Sequence, residues 1–273
     1  MIKVEHTLFA LPFAFTGMLL AAEGLPSLPT VLWIVIAVLG ARSGAMGFNR
    51  LADAAIDARN PRTAKRDIPA GRISRKEAGL YTAVSFAVYL FAAYMLNPLC
   101  FWLSPIPLGI FILYSYTKRF TFLCHIVLGV ALGLAPIGAW VAVRGEVSTS
   151  IVMLGAAVLL WVAGFDIVYA CQDIDFDREE NLHSIPRYIG VTGSLYLARA
   201  LHALAFLIFF SAKFMFGLGW VYLAGVMLTG IFMLYQHAIL KPNDLSKLDM
   251  AFFNLNAYIS VTIFLFTAVD IFL

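Results

Sequence analysis

The stretch Asp166-Ile-Val-Tyr169-Ala-Cys-Gln-Asp173-Ile-Asp175-Phe-Asp177 decides how this chain folds. It follows the apolar run Ile151 to Phe165, so its carboxylates begin where a membrane-type helix would still be running. On a helix of about 3.6 residues per turn, Asp166, Tyr169, Asp173 and Asp177 share one face, while Asp175 falls off it and reads as a solvated carboxylate. A lone carboxylate at the centre of a membrane helix costs about 2.5–3.5 kcal/mol. Several on one face repel one another unless a cation sits among them. Clustered hard oxygens suit a divalent ion, Mg2+ above all, with a phosphate as co-ligand.

An earlier stretch repeats the arrangement. Asn49, Asp53 and Asp57 follow the apolar run Thr30 to Phe48 at four-residue intervals, again on one helical face. Asp53 and Asp57 stand 120 residues before Asp173 and Asp177. The spacing implies an approximate duplication whose two acidic faces meet.

Composition sets the class. Of 273 residues, 62% are hydrophobic and 13% charged, with a mean hydropathy of +0.87, far from the roughly 25% charge of a soluble domain. The expectation is an all-α integral membrane protein forming one membrane-embedded domain over residues 1–273, since no polar linker divides it. The first apolar run lacks a small-residue cleavage site and reads as a retained span. Cys100, Cys124 and Cys171 show neither metal spacing nor a disulfide framework.

Nine spans are expected, each suited to a hydrocarbon core of about 30 Å. They run over His6–Ala22, Thr30–Asp57, Ala78–Leu96, Leu99–Tyr116 (bent by Pro105 and Pro107), Thr121–Val143, a sixth capped by Ser148 or Thr149 and carrying the second acidic motif, Tyr188–Ser211, Gly217–Leu240 and Met250–Phe272. The loop 58–76 holds Arg59, Arg62, Lys65, Arg66, Arg72, Arg75 and Lys76. Loops on the same side add Lys118, Arg119, Arg178, Arg187, Lys241 and Lys247, against Arg144 and Lys213 opposite. This bias puts both acidic motifs and the amino terminus on the cytoplasmic side. For any single basic residue, topology and lipid attraction explain as much as function does. Arg62, Lys65 and Arg66 weigh more, because a metal-bridged diphosphate needs cations beside carboxylates.

These residues carry a resemblance. The chain resembles the UbiA superfamily of intramembrane aromatic prenyltransferases. The family's first acidic motif, N-D-x-x-D-x-x-x-D, is met by Asn49-Arg50-Leu-Ala-Asp53-Ala-Ala-Ile-Asp57, and its second, D-x-x-Y-x-x-x-D-x-x-x-D, in full by Asp166, Tyr169, Asp173 and Asp177. Between them, Tyr114-Ser-Tyr116-Thr-Lys118-Arg119-Phe120-Thr121 is similar to its Y-P-x-x-K-R-F-T loop, and Gly129 to Trp140 to the helix after it. Arg50 stands where many members have Asp. That exchange, with Asn60-Pro61-Arg62-Thr63, resembles a bacterial quinone-pathway subgroup more than the ubiquinone members.

The resemblance implies nine helices bundled around a central cavity. It implies Mg2+ held by Asn49, Asp53 and Asp57 and a second Mg2+ by Asp173 and Asp177, with diphosphate gripped by Arg62, Lys65, Arg66, Lys118 and Arg119, and Tyr114 or Tyr169 helping. It also implies transfer of a polyprenyl group from polyprenyl diphosphate to an aromatic acid, 4-hydroxybenzoate-like or a hydroxynaphthoate, in the bacterial inner membrane. Asp166, one turn before Tyr169, is then the candidate to orient the phenol or take its proton. Another acceptor (haem, a homogentisate-type ring, a chlorophyll precursor) stays open. So does a transporter using the acidic faces as ion sites; no nucleic-acid partner is expected.

The remaining polar residues read as bystanders. Glu179, Glu180 and His183 belong to the surface. Glu5 and His6 are near enough to reach the acceptor but fit snorkelling helix ends. His125 opens the fifth helix near Lys118 and Arg119. His202, His237 and Asp270 lie inside apolar spans, where interhelical hydrogen bonds are expected for the histidines. Cys171 and Gln172 adjoin the second motif and are placed to shape the pocket.

Overall fold

Apolar runs become helices whose ends are set by identifiable caps. In the protein, a computed structural model describing residues 7–273, these are α1 (Thr7–Ala22), α2 (Leu28–Ala52), α3 (Ala54–Arg59), α4 (Arg75–Leu96), α5 (Pro98–Leu103), α6 (Pro105–Thr117), α7 (Cys124–Arg144), α8 (Thr149–Ala170), α9 (Ile174–Glu179), α10 (Ile185–Met215), α11 (Trp220–Ile239) and α12 (Asn256–Phe272). Ser148 Oγ accepts from the Ile151 amide at 3.4 Å to start α8. Ser74 and Glu77 form a reciprocal capping box on α4. The Asp270 carboxylate accepts from the Gly219 and Tyr222 amides at 2.6 and 2.9 Å, so this intramembrane acid serves the start of α11. Glu5 and His6 lie outside the described residues.

Among the described residues, eight helical segments are long and apolar enough to cross a membrane, and α1 is a shorter apolar helix. Together they account for the nine expected spans. The fourth divides at Ser104, between α5 and α6, where Pro105 begins a new helix.

Two expected continuous helices are broken, and both breaks matter. The helix expected to run from Thr30 to Asp57 stops at Ala52, and α3 restarts at Ala54. The helix carrying the second motif gives way to a 3-10 turn, Cys171–Asp173, before α9. Asp53 (φ −93°, ψ 2°) and Asp173 (φ −105°, ψ 8°) occupy the two hinges in the same backbone conformation, each before a helix of six residues. Neither hinge contains Gly or Pro. Side chains take up the released carbonyls instead: Arg119 donates to Ala52 O at 2.6 Å and Gln172 to Tyr169 O at 2.9 Å.

The bundle centres on α8, which is apolar around its circumference from Ile151 to Phe165 and is largely enclosed over that length, with Asp166 and Tyr169 coming at its far end. Ile151, Leu154, Ala157, Val158, Trp161 and Val162 are buried there against α7 and α10, with Phe13, Phe209 and Ile259 completing the core. Because lipid is as apolar as Leu, close approach of backbones rather than water exclusion drives such packing. Gly129 and Gly133 on α7 face α8, where a Cβ on either would come within 2.5 Å of a carbonyl oxygen of Leu159 or Gly155. Polar pins add specificity. His202 bonds His237 at 2.9 Å and Trp161 O at 3.1 Å, the interhelical role expected of these histidines. A π-helical turn, Met250–Leu255, precedes α12; Asn256 donates to Phe252 O at 2.9 Å and accepts from Trp161 Nε1 at 3.1 Å. The three cysteines are free thiols.

The α1–α7 contact gives a test. A Cβ at Gly17 would lie 2.3 Å from Pro136 O, whereas one at Gly79 meets nothing within 4 Å. Gly17→Ala is expected to destabilise by about 1–3 kcal/mol and to lower the thermal midpoint in detergent. Gly79→Ala should leave the midpoint unchanged or slightly raised.

Candidate functional site

Both hinges turn their carboxylates into one cavity of about 560 Å³. Eleven of the thirteen candidate residues line it: Asn49, Asp53, Asp57, Arg62, Arg66, Tyr114, Lys118, Asp166, Tyr169, Asp173 and Asp177. Its other end is apolar, bounded by Ile34, Val38, Leu96, Leu103, Ile137 and Val141. Lys65 is exposed on the loop and does not line the cavity. Arg119 does not line it either, but its Nη2 reaches Asp53 Oδ1 at 3.3 Å.

Each acidic group is answered by a named partner. Lys118 Nζ lies 3.0 Å from Asp53 Oδ2, which also accepts from Asn49 Nδ2 at 3.1 Å. Arg66 Nη1 donates to both oxygens of Asp57, at 2.7 and 2.8 Å, with Arg50 at 3.9 Å. Arg62 grips Asp173 through Nε, at 3.0 Å, and Nη2, a bidentate pair that joins the first motif's loop to the second motif. Ser184 Oγ donates to Asp177 at 2.6 Å. Burial pulls the Arg62 guanidinium down, but the hydrogen bonds and charge of Asp173 more than offset this and hold it above its ordinary value.

Tyr169 sits between a cation and a ring. The Arg62 guanidinium lies 5.5 Å from its centroid, and the Phe252 ring stacks on it at 3.9 Å. Phe252 reaches this place from the π-helical turn. At the surface, Arg59 and Glu180 pair at 2.7 Å across the two motif loops. Asp175 is exposed, and Gln172 and Cys171 do not line the cavity.

Three contributors are missing from the sequence reading. Asn60 donates to Asp173 Oδ1 at 3.3 Å while accepting from the Arg62 amide at 2.9 Å. The Asn-Pro-Arg phrase was its signal. Arg42 lines the cavity from α2, four residues before Met46, within a run that reads as apolar. His125 bonds Asp166 at 2.7 Å across 41 residues, a separation with no helical signature.

The donor set fits a hard divalent ion in kind: four carboxylates and an asparagine amide reach one cavity from two matched hinges. Among the described residues no three acidic, His or Cys side chains converge on one point. The carboxylates face basic side chains instead, so an ion accompanied by phosphate would exchange partners, carboxylate to metal and guanidinium to phosphate.

Comparison with known proteins agrees with this geometry. The profile of the UbiA prenyltransferase family matches residues 10–258. The chain is 31% identical over 239 residues to the 4-hydroxybenzoate octaprenyltransferase of Alcanivorax borkumensis, covering 86% of this chain and 81% of that one. It is likewise 31% identical over 264 residues to that of Photobacterium profundum, covering 93% and 88%. The apo structure of a UbiA homologue from Aeropyrum pernix K1 superimposes with a TM-score of 0.90 at 36% identity, covering 99% of both chains. A UbiA homologue from Archaeoglobus fulgidus, bound to GPP and Mg2+, shares the fold at a TM-score of 0.66 and 20% identity, over 95% and 99% of the two chains.

The ion pairs predict a contrast in stability. Asp57→Ala strands Arg66 and Arg50 at a buried site and is expected to cost about 3 kcal/mol. Asp175→Ala, at a solvated carboxylate, should change stability by less than about 0.5 kcal/mol. Thermal denaturation of the detergent-solubilised variants measures both.

Proposed function

The chain belongs to the UbiA prenyltransferase family, and from that premise we propose that it transfers a polyprenyl group from polyprenyl diphosphate to an aromatic acid, with Mg2+, in quinone biosynthesis. The observation that carries this reading is one cavity with carboxylates and cations clustered at one end and mostly apolar walls, free of carboxylates, at the other. A diphosphate and its isoprenoid tail have that same division of polarity. The apolar end also weighs against ion transport, because a conduction path needs polar groups toward the far face. The relatives named for 4-hydroxybenzoate favour that acceptor first, with a hydroxynaphthoate second. The bias of the basic loops favours an orientation with the amino terminus and active-site loops cytoplasmic, and the bacterial relatives favour the inner membrane.

In this reading Asn49, Asp53, Asp57, Asp173 and Asp177 hold the metal. Bound Mg2+ supplies charge neutralisation for the departing diphosphate. Arg62, Arg66 and Lys118, released from their carboxylates, hold the phosphate oxygens, with Arg119 behind Lys118 and Tyr114 at the cavity wall. Lys65 contributes to the field at the loop surface rather than by contact. Tyr169, backed by Phe252, presents a π-face to the positive charge that develops on the allylic carbon. Asp166 meets the acceptor's phenolic hydroxyl. The apolar walls exclude the water that would quench the cation.

The test is prenyl transfer by purified protein in liposomes, with an allylic polyprenyl diphosphate and a panel of aromatic acids. Chelation of Mg2+ and Asp173→Ala are each expected to lower the rate at least about 100-fold, or about 2.7 kcal/mol. Transfer that survives both treatments would overturn the assignment of the acidic faces. Absence of product with every acceptor would overturn the proposed reaction.

A further inference from the structure

We infer that His125 is the positioning residue for Asp166 and sets the orientation in which that carboxylate meets the acceptor. The inference rests on the reading above, in which Asp166 faces a phenolic hydroxyl. His125 stands in the first turn of α7 and is 3% exposed. Its Nδ1 lies 2.7 Å from Asp166 Oδ2 on α8. Against an ionised carboxylate, which can only accept, the ring donates through Nδ1–H. The Asp166 side chain keeps 19% of its surface and that of His125 4%, so the carboxylate is the member of the pair presented to the cavity both line. One carboxylate oxygen is tied back to the protein, and the other is left for a ligand.

The second ring nitrogen supplies an independent observation. His125 Nε2 is buried with no hydrogen-bond partner. A buried orphan nitrogen is a standing penalty that a hydrocarbon ring of similar shape would avoid. Packing therefore does not account for a histidine here; the bond made by Nδ1 does. Among the described residues His125 is the one hydrogen-bond partner of Asp166. The cavity also holds Arg62, Arg66 and Lys118, each paired with another carboxylate. Asp166 therefore has the histidine, and not a diphosphate-binding cation, as its partner.

The chemistry balances with this geometry. The phenolic O–H gives its proton to the free oxygen of Asp166 as the ortho carbon of the acceptor bonds to the allylic carbon. The allylic C–O bond breaks ahead of that attack, its electron pair leaving with diphosphate. The ring C–H proton then departs with diphosphate, and Asp166 returns its proton to the oxygen. The net products are prenylated phenol, diphosphate and one proton.

The experiment compares His125→Phe, which keeps the ring shape and removes the donor, with His125→Asn, whose amide N–H takes nearly the place of Nδ1–H. Each variant is first matched to the wild type for thermal midpoint and Mg2+-dependent pyrophosphate binding, so a folding defect registers there. His125→Phe is expected to lower kcat about 10–100-fold with the KM for the prenyl diphosphate unchanged, and His125→Asn to recover most of that loss. In an Asp166→Asn background, His125→Phe should add little. Wild-type kcat in His125→Phe, equal losses in Phe and Asn variants, or additive losses in the double variant would each overturn the inference and leave the transferase reading standing. A wild-type protein that transfers to no aromatic acceptor would overturn that reading and the inference with it.

Discussion

Neutralisation of carboxylates at the rim of an apolar bundle is the constraint on which the remaining structure depends. Asp53 and Asp57 are almost entirely buried, and a buried charge persists only with a partner. The partners come from distant parts of the chain. Arg62 reaches Asp173 across 111 residues, and Lys118 and Arg119 reach Asp53 from the loop after α6. Meeting this electrostatic demand draws three loops over one end of the bundle. The same bonds leave a reserve of cations beside a reserve of carboxylates, each able to change partner.

Below that rim the forces differ. The contact of α7 with α8 is made by glycines that admit backbone against backbone, and α8 itself is largely buried because no face of it is polar before Asp166. The cavity lies between these regimes. Its charged end is built where helices break at Asp53 and Asp173, and its apolar end from the hydrocarbon faces of α2 and α7 and the α4–α6 segments. A substrate with a charged head and a hydrocarbon tail is oriented by this gradient before any specific contact forms.

Much of this was legible in the sequence because it depends on composition or on spacing within one helix. The membrane class, the approximate number of spans and seven of the cavity-lining candidates follow from apolar runs and from helical spacing of three or four residues; Arg62 and Arg66 follow from the basic loop beside the carboxylates, and Tyr114 and Lys118 from the family resemblance. The hinges were not legible. Ala52-Asp53-Ala54 and Cys171-Gln172-Asp173 contain no helix breaker, and the breaks depend on Arg119 and Gln172 capturing released carbonyls. Lys65 and Arg66 are neighbours of equal charge, and only the fold decides that Arg66 turns inward. His125 escaped for a related reason: its partner lies on another helix, and no period within a sequence encodes that meeting.

The π-helical turn at Met250–Leu255 has a further consequence in angular register. One residue beyond the α-helical count advances the chain by about 100° around the axis. Residues before and after the turn are thus read on two different phases. Phe252 is buried in the same core as Ile259 and Ile263, which follow the turn, and its ring also stacks on Tyr169 at the cavity. An unbroken α-helix carries one phase, and on it a ring packed with Ile259 and Ile263 would be turned away from Tyr169. The extra residue acts as a phase shifter, letting a single membrane helix serve two partners that lie on different bearings.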